Sequence, residues 1–356
     1  MLTKTPAPKS IKGVKIKTAT LVKPAIESKA DNEKQLIETI NADFKKKRED
    51  ISKKLNLKEA RIYLEKQRQS YDAFLNQFDK KNEHLDSIKA ALKKEIKKNT
   101  LKQFPEFKEL MRLDSLHANR LETALNTASL IGDFNNGLMV DPEVVISDYD
   151  YEIVEPPYDL FDSELNVGGD FDEDSSFPWH DWGTLTNYVR YRHEHSWTEG
   201  TTHSHKYASS SVSLGINYKM PRHGSLDITV VLKNLNNQVA YGFTDNIGPS
   251  YAKFNIENTI FIPVSSGGTR RYIHSATMFN ETRKSEGGES SNSIFPVATD
   301  TPSFINFRTE HIHEGEDLQI MIASWLRVYS TSFRMRVDLI ASLLWKVDKI
   351  YLRVVE

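Results

Sequence analysis

The chain has 356 residues, 38% of them apolar, a formal net charge of −2 and no cysteine. Its length allows two domains, the lack of cysteine excludes disulfides and thiol chemistry, and no stretch approaches the run of about 18 apolar residues that a transmembrane helix needs. The charge is segregated: Met1 to Gly132 carries 29 Lys or Arg against 18 Asp or Glu, Asp133 to Ser175 carries 14 acidic residues and no basic one, and the remainder balances at 18 against 17.

Residues 1–30 read as an extended basic tail. Pro6, Pro8 and Pro24 break helices and the lysines keep the segment solvated. It has no apolar core and so does not read as a secretory signal. A cytoplasmic protein, or a part of a released particle, is the expectation.

Residues 31–132 predict a helical hairpin or three-helix, coiled-coil bundle. Leu36, Ile40, Phe44, Ile51 and Leu55 recur at spacings of four and seven. After a break near Asn56, the residues Leu64, Tyr71, Phe78, Leu85 and Leu92 recur every seven, with Phe74 and Ile88 between them. That pattern predicts one long middle helix that projects or pairs with another copy. Lys93 to Leu101 reads as a polar break, and Pro105 as the start of a third helix with an apolar face of Phe107, Leu110, Leu113, Leu116, Leu121, Leu125 and Ile131. Lys45, Lys46, Lys47, Arg48, Lys93, Lys94, Lys97 and Lys98 form a basic arm. Lysines outnumber arginines there and carboxylates are interspersed, which argues for a solvated helix surface over a nucleic-acid contact.

Residues 133–176 form an acidic connector in which Asp148, Asp150, Glu152, Glu155, Asp159 and Asp162 alternate with Tyr151, Phe161 and other aromatics. A free linker has little use for so many rings, so the connector is expected to dock, with the basic arm of the same or a neighbouring copy as the nearest suitable surface. Pro156 and Pro157 are expected to hold its middle extended.

From residue 177 to 356 the period changes to two, and nine runs separated by Gly, Asn, Asp and Pro read as strands. They predict an antiparallel β-sandwich, jelly-roll-like. The segment Trp345 to Val355 reads as a further strand and Asn280 to Ser293 as a loop. The fold class is therefore α+β with several domains.

The histidines are the best candidates for chemistry. His193–Glu194–His195 and His203–Ser204–His205 flank a seven-residue turn containing Glu199. A hairpin would place all four imidazoles on one sheet face, where they suit zinc or another late transition metal. His311–Ile312–His313 repeats the alternation. The run His193-x-His195-x-x-x-Glu199 resembles the first metal motif of cupins. That resemblance implies a β-barrel holding a metal on two His and a Glu, with Pro221–Arg222–His223 as a hint of the second motif. Trp179, Trp182, Trp197, Tyr188, Tyr191 and Tyr207 gather around the same turn, as core packing or as a carbohydrate or protein contact.

Taken together, these features predict a non-enzymatic structural protein that needs no cofactor. It would be a homo-oligomer that also meets other proteins of an assembly, such as a phage-like or injection-type particle. A pore-forming toxin and a cupin-like metalloenzyme are the alternatives.

Overall fold

The computed structural model describes residues 22–78, 84–132, 151–162, 168–169, 171–174, 177–194, 204–235, 237–245, 248–267, 269–286, 291–296 and 303–356. Four helices precede two antiparallel sheets that face each other. The helices are α1 (Val22–Lys54), α2 (Leu57–Leu75), α3 (Leu85–Gln103) and α4 (Glu106–Gly132).

The helical half departs from the sequence reading in three places. Helix α1 already begins at Val22, inside the expected tail, because Pro24 falls in the first turn, where a missing N–H costs no intrahelical bond. The expected long middle helix is two helices of 19 residues, and Asn76 caps the first. The expected break at Lys93–Leu101 lies within α3, whose lysines are compatible with a helix. The chain turns instead at Phe104, because the residue before Pro105 disfavours helical geometry. Asn56 is the N-cap of α2: its Oδ1 accepts from the Glu59 N–H at 3.2 Å, and its Nδ2 donates to Glu59 Oε2 at 3.2 Å.

The strands of the second half are, in chain order, β1 (Glu152–Val154), β2 (Leu160–Asp162), β3 (Gly168–Gly169), β4 (Glu173–Asp174), β5 (Phe177–Trp179), β6 (Thr184–Glu194), β7 (Ser204–Lys219), β8 (Gly224–Asn234), β9 (Gln238–Asp245), β10 (Tyr251–Ser266), β11 (Thr269–Ser285), β12 (Ser291–Pro296), β13 (Ser303–Ile312), β14 (Asp317–Phe333) and β15 (Met335–Val355). One sheet runs β12-β9-β15-β6-β4, with β1 and β8 on β15, β13 on β8 and β5 on β6. The other runs β11-β10-β14-β7-β2, with β3 on β7. All nine predicted strands are present. The expected loop 280–293 contributes the end of β11 and the start of β12, and the predicted terminal strand continues β15 without a break.

Alternation explains the cores. Leu318, Ile320, Ile322, Leu326 and Val328 of β14 face the other sheet, together with Leu226, Ile228, Val230, Leu339 and Leu343. The opposite face of β14 would be wet in a bare sandwich, but it is covered. Phe333 packs with Leu55, Ala60, Leu64, Phe107 and Leu110, Tyr329 with Ile37, Ile40, Phe44 and Leu121, and Trp325 with Leu160 and Phe261. The helices are thus a third layer on one end of the sheet. Gly248 (φ +105°) lies at this junction, where a Cβ would come within 2.6 Å of Leu64 Cδ2.

Candidate functional site

The predicted histidine hairpin does not form. Strand β6 pairs with β15, opposing His193 to Val337, and β7 pairs with β14 in the other sheet, opposing His205 to Thr331. Each strand has its own inward stripe, Leu185, Val189 and Tyr191 on one and Val212, Leu214 and Ile216 on the other. The chain crosses between layers rather than folding back in one sheet, so the two stripes face each other across the core. His193 is buried, with Nδ1 2.6 Å from Ser330 Oγ, and His205 is exposed with Nε2 2.7 Å from Asn41 Nδ2. His195, Glu199 and His203 lie outside the described residues, as does Trp197. The aromatics divide: Tyr191 is fully buried and donates to the Lys206 carbonyl at 2.9 Å, while Trp182 is 69% exposed. Burial holds the Tyr191 phenol protonated well beyond its ordinary range.

The described part of the acidic connector docks, but on the sandwich. Glu152 opposes Leu352 as β1 joins β15, and Tyr151 packs edge-on to Tyr351 under Arg353. Glu155 pairs with Lys349 at 2.9 Å. Tyr158 is buried and donates to the Val347 carbonyl at 3.2 Å. Leu160, Phe161 and Asp162 form β2 against β7, with Asp159 exposed just before them. Within one chain residues 151–162 meet the sheets rather than the basic arm, because the rings find apolar cover there, worth more than surface charge pairing. Pro156 and Pro157 stand in a bend with a cis peptide between them, where an extended run was predicted. Asp148 and Asp150 lie outside the described residues.

The basic arm is not uniform. Lys45, Lys46 and Lys47 are exposed on α1, and Lys94 and Lys98 on α3, with Lys93 and Lys97 half-buried. Lys97 donates to the Glu286 carbonyl. Arg48 is structural. Its Nε donates to Asp114 Oδ1 at 2.9 Å and its Nη2 to His117 Nδ1. With Nδ1 accepting, the His117 proton sits on Nε2 and is donated to Asn41 Oδ1 at 2.8 Å. The contact between Asn41 and His205 extends this chain into β7. Asp114 and His117 lie fully buried on the face of α4 that the apolar pattern assigned to hydrophobes, and Leu116 is half-exposed instead.

A second histidine cluster lies at the far end of the sandwich. His223, in the bend between β7 and β8, joins His311 near the end of β13 and His313 just beyond it. One ring nitrogen from each lies within 4.8 Å of the others. The His223 and His311 rings are stacked at 6.3 Å, and His313 stands edge-on to both. Ile312, between His311 and His313, is fully buried, so the alternation turns both imidazoles outward.

No protein-family model matches the sequence, and no curated protein matches it either. Solved structures give remote likenesses. The C-terminal CBM6 of LamC, a marine laminarinase from Zobellia galactanivorans, is 10% identical over 52% of this chain and 99% of its own, with a TM-score of 0.16. A family 35 carbohydrate binding module from Clostridium thermocellum is 11% identical over 44% and 97%, with a TM-score of 0.16. The enzymatically active domain of bacteriophage CBA120 tailspike protein 4 is 10% identical over 57% of this chain and 20% of its own, with a TM-score of 0.15. At scores this low none of the three carries an argument about this chain.

The sequence signal for the tip cluster was the His311-x-His313 alternation. The missing piece was His223, 88 residues earlier, which only strand pairing brings alongside: Gly224 opposes Ile312 and Ser225 opposes His311.

Proposed function

We propose that this chain is a non-enzymatic, multi-copy assembly protein whose α2–α3 hairpin joins copies through a coiled-coil seam while the β-sandwich serves as the exposed module. One observation carries the reading. Among the described residues from Glu65 to Glu95 none is buried, although the stretch holds Tyr71, Phe74, Leu75, Phe78, Leu85, Ile88 and Leu92. Helix α2 buries Ala60 and Leu64, and α3 buries Ile96 and Thr100, the ends nearest the sheets. The rest of the hairpin reaches away from the body with its apolar seam half-covered, and Ile62 and Phe74 are among the most exposed large apolar side chains.

The occupant we assign to this seam is a second copy of the chain. Tyr71, Phe74 and Leu75 on α2 and Leu85, Ile88 and Leu92 on α3 recur at helical spacing, and the same face of a second copy would complete their cover. Lysines on α3 border the seam, which makes the association salt-dependent. A helical anchor at one end and a sandwich at the other suit a component of a phage-like or injection-type particle.

Light scattering after size exclusion tests the proposal. The expected mass is a multiple of 40.8 kDa, and Phe74→Glu combined with Ile88→Glu should return it to one chain without changing the strand signal in circular dichroism. A wild-type protein that stays monomeric from micromolar to millimolar concentration, at low and high salt, ends the reading.

A further inference from the structure

We propose that His223, His311 and His313 form a binding site for a divalent transition metal of the zinc class at the tip of the sandwich opposite the helices. The site is independent of the assembly reading, because the seam and the tip lie at different ends of the molecule. Strand β14 runs between the two ends: Asp317 opposes Lys219 beside the tip, and Phe333 packs on Phe107 under the helices. Its 17 residues span roughly 50 Å at the rise of a strand.

The chemistry fits. Three neutral imidazoles are the ligand set zinc takes when one position is left for water or an outside ligand. In a tetrahedral site with zinc–nitrogen bonds of about 2.0–2.1 Å, ligand nitrogens stand about 3.3 Å apart. The three ring nitrogens lie within 4.8 Å of one another and all three residues are exposed. Closing the remaining gap needs ring rotation in open solvent and no shift of packed side chains.

The backbone beneath is held firmly. Gly315 N donates to the Met220 carbonyl at 2.8 Å, Met220 N to the Glu316 carbonyl at 2.9 Å and Glu316 N to the His313 carbonyl at 3.3 Å. These bonds lock the turn after β13 to the bend before β8, and so hold His313 beside His223. Gly315 (φ +78°) makes that turn, which an L side chain would strain. Glu314 supplies the outer partner. Its N–H points at His223 Nδ1 from 3.3 Å, which leaves the ring proton on Nε2, 3.9 Å from the Glu314 carboxylate. With a metal on Nδ1, the Glu314 carboxylate would stand on the side of the other ring nitrogen, near enough to accept from it after a small side-chain rotation.

Isothermal titration of the chelator-stripped full chain with zinc chloride is the test. We expect one zinc at the tip with a Kd of micromolar order or tighter. His223→Ala and His311→Ala should each weaken it by at least about tenfold, while His84→Ala, an exposed histidine on the helical side, should leave it unchanged. All three tip histidines are exposed, so the variants should keep the wild-type circular dichroism, and zinc should slow amide exchange at 220–224 and 313–316 in the wild type alone. Absence of binding at about 100 µM zinc, where a micromolar site would be saturated, overturns the proposal. So does a His223→Ala/His311→Ala double variant that binds zinc as tightly as the wild type.

Discussion

Strand β14 and helix α2 are close in length, 17 and 19 residues, and opposite in their surroundings. Every residue of β14 from Ile320 to Phe333 is buried, whereas α2 buries Ala60 and Leu64. The strand has cover on both faces, from the second sheet on one side and from the helices and Leu160 on the other. The helix has cover at one end. Burying a charge in a strand sealed in this way is costly unless the charge is paired, and Arg327 and Glu257 pair in full burial. A half-bare amphipathic helix is stable when something else completes its face.

The sharpest way to break the contrast is inside the sealed region. Glu257 accepts from Arg327, from Thr259 at 3.0 Å and from Asn280 at 3.1 Å. Glu257→Ala leaves a buried guanidinium without this carboxylate and should cost about 3–5 kcal/mol in urea unfolding. Next comes the junction of the two regions. Phe107 is fully buried against Phe333, and Phe107→Ala should cost about 3 kcal/mol and raise proteolysis of the helices before that of the strands. His117→Leu should cost about 1–3 kcal/mol, because Arg48 and Asn41 lose their shared partner.

The acid limb sharpens the comparison further. Burial pushes the Asp227 carboxyl up, but hydrogen bonds and charge from Arg308 and Arg353, its cross-strand neighbours, outweigh that and hold it below the ordinary carboxylate range. Its folded value lies below the unfolded one, near 3.9. The stabilisation is therefore complete above about pH 4 and lost as pH falls through the folded value. Asp227→Asn should lower Tm at pH 7 and flatten that part of the acid limb in thermal melts at stepped pH.

The smallest effect on folding belongs to the bare hairpin. Phe74→Ser should change sandwich stability by no more than about 0.5 kcal/mol, yet lower the mass seen by light scattering. A large loss of stability there would mean that Phe74 is covered within its own chain.

Much of this organisation was legible in one dimension. Period-two alternation marked the strands because a half-buried strand shows its inward face at every second residue. Spacings of four and seven marked the helices, and charge segregation marked the connector as something apart. The split of the middle helix was less legible, since seven-residue recurrence continues through Asn76 without registering the cap. What only tertiary structure decided was who meets whom. Alternation says that His193 shares a face with His195, and His203 with His205, but not that the two strands belong to different sheets. It places His311 and His313 on one side of the chain at the end of β13, but not beside His223. It could not foresee that Arg48, Asp114 and His117 would tie α1 to α4 from within a buried face. The reason is physical: local periodicity follows from backbone geometry, which each segment carries with it, while pairing is settled by burying all the apolar stripes at once, and no single segment contains that condition.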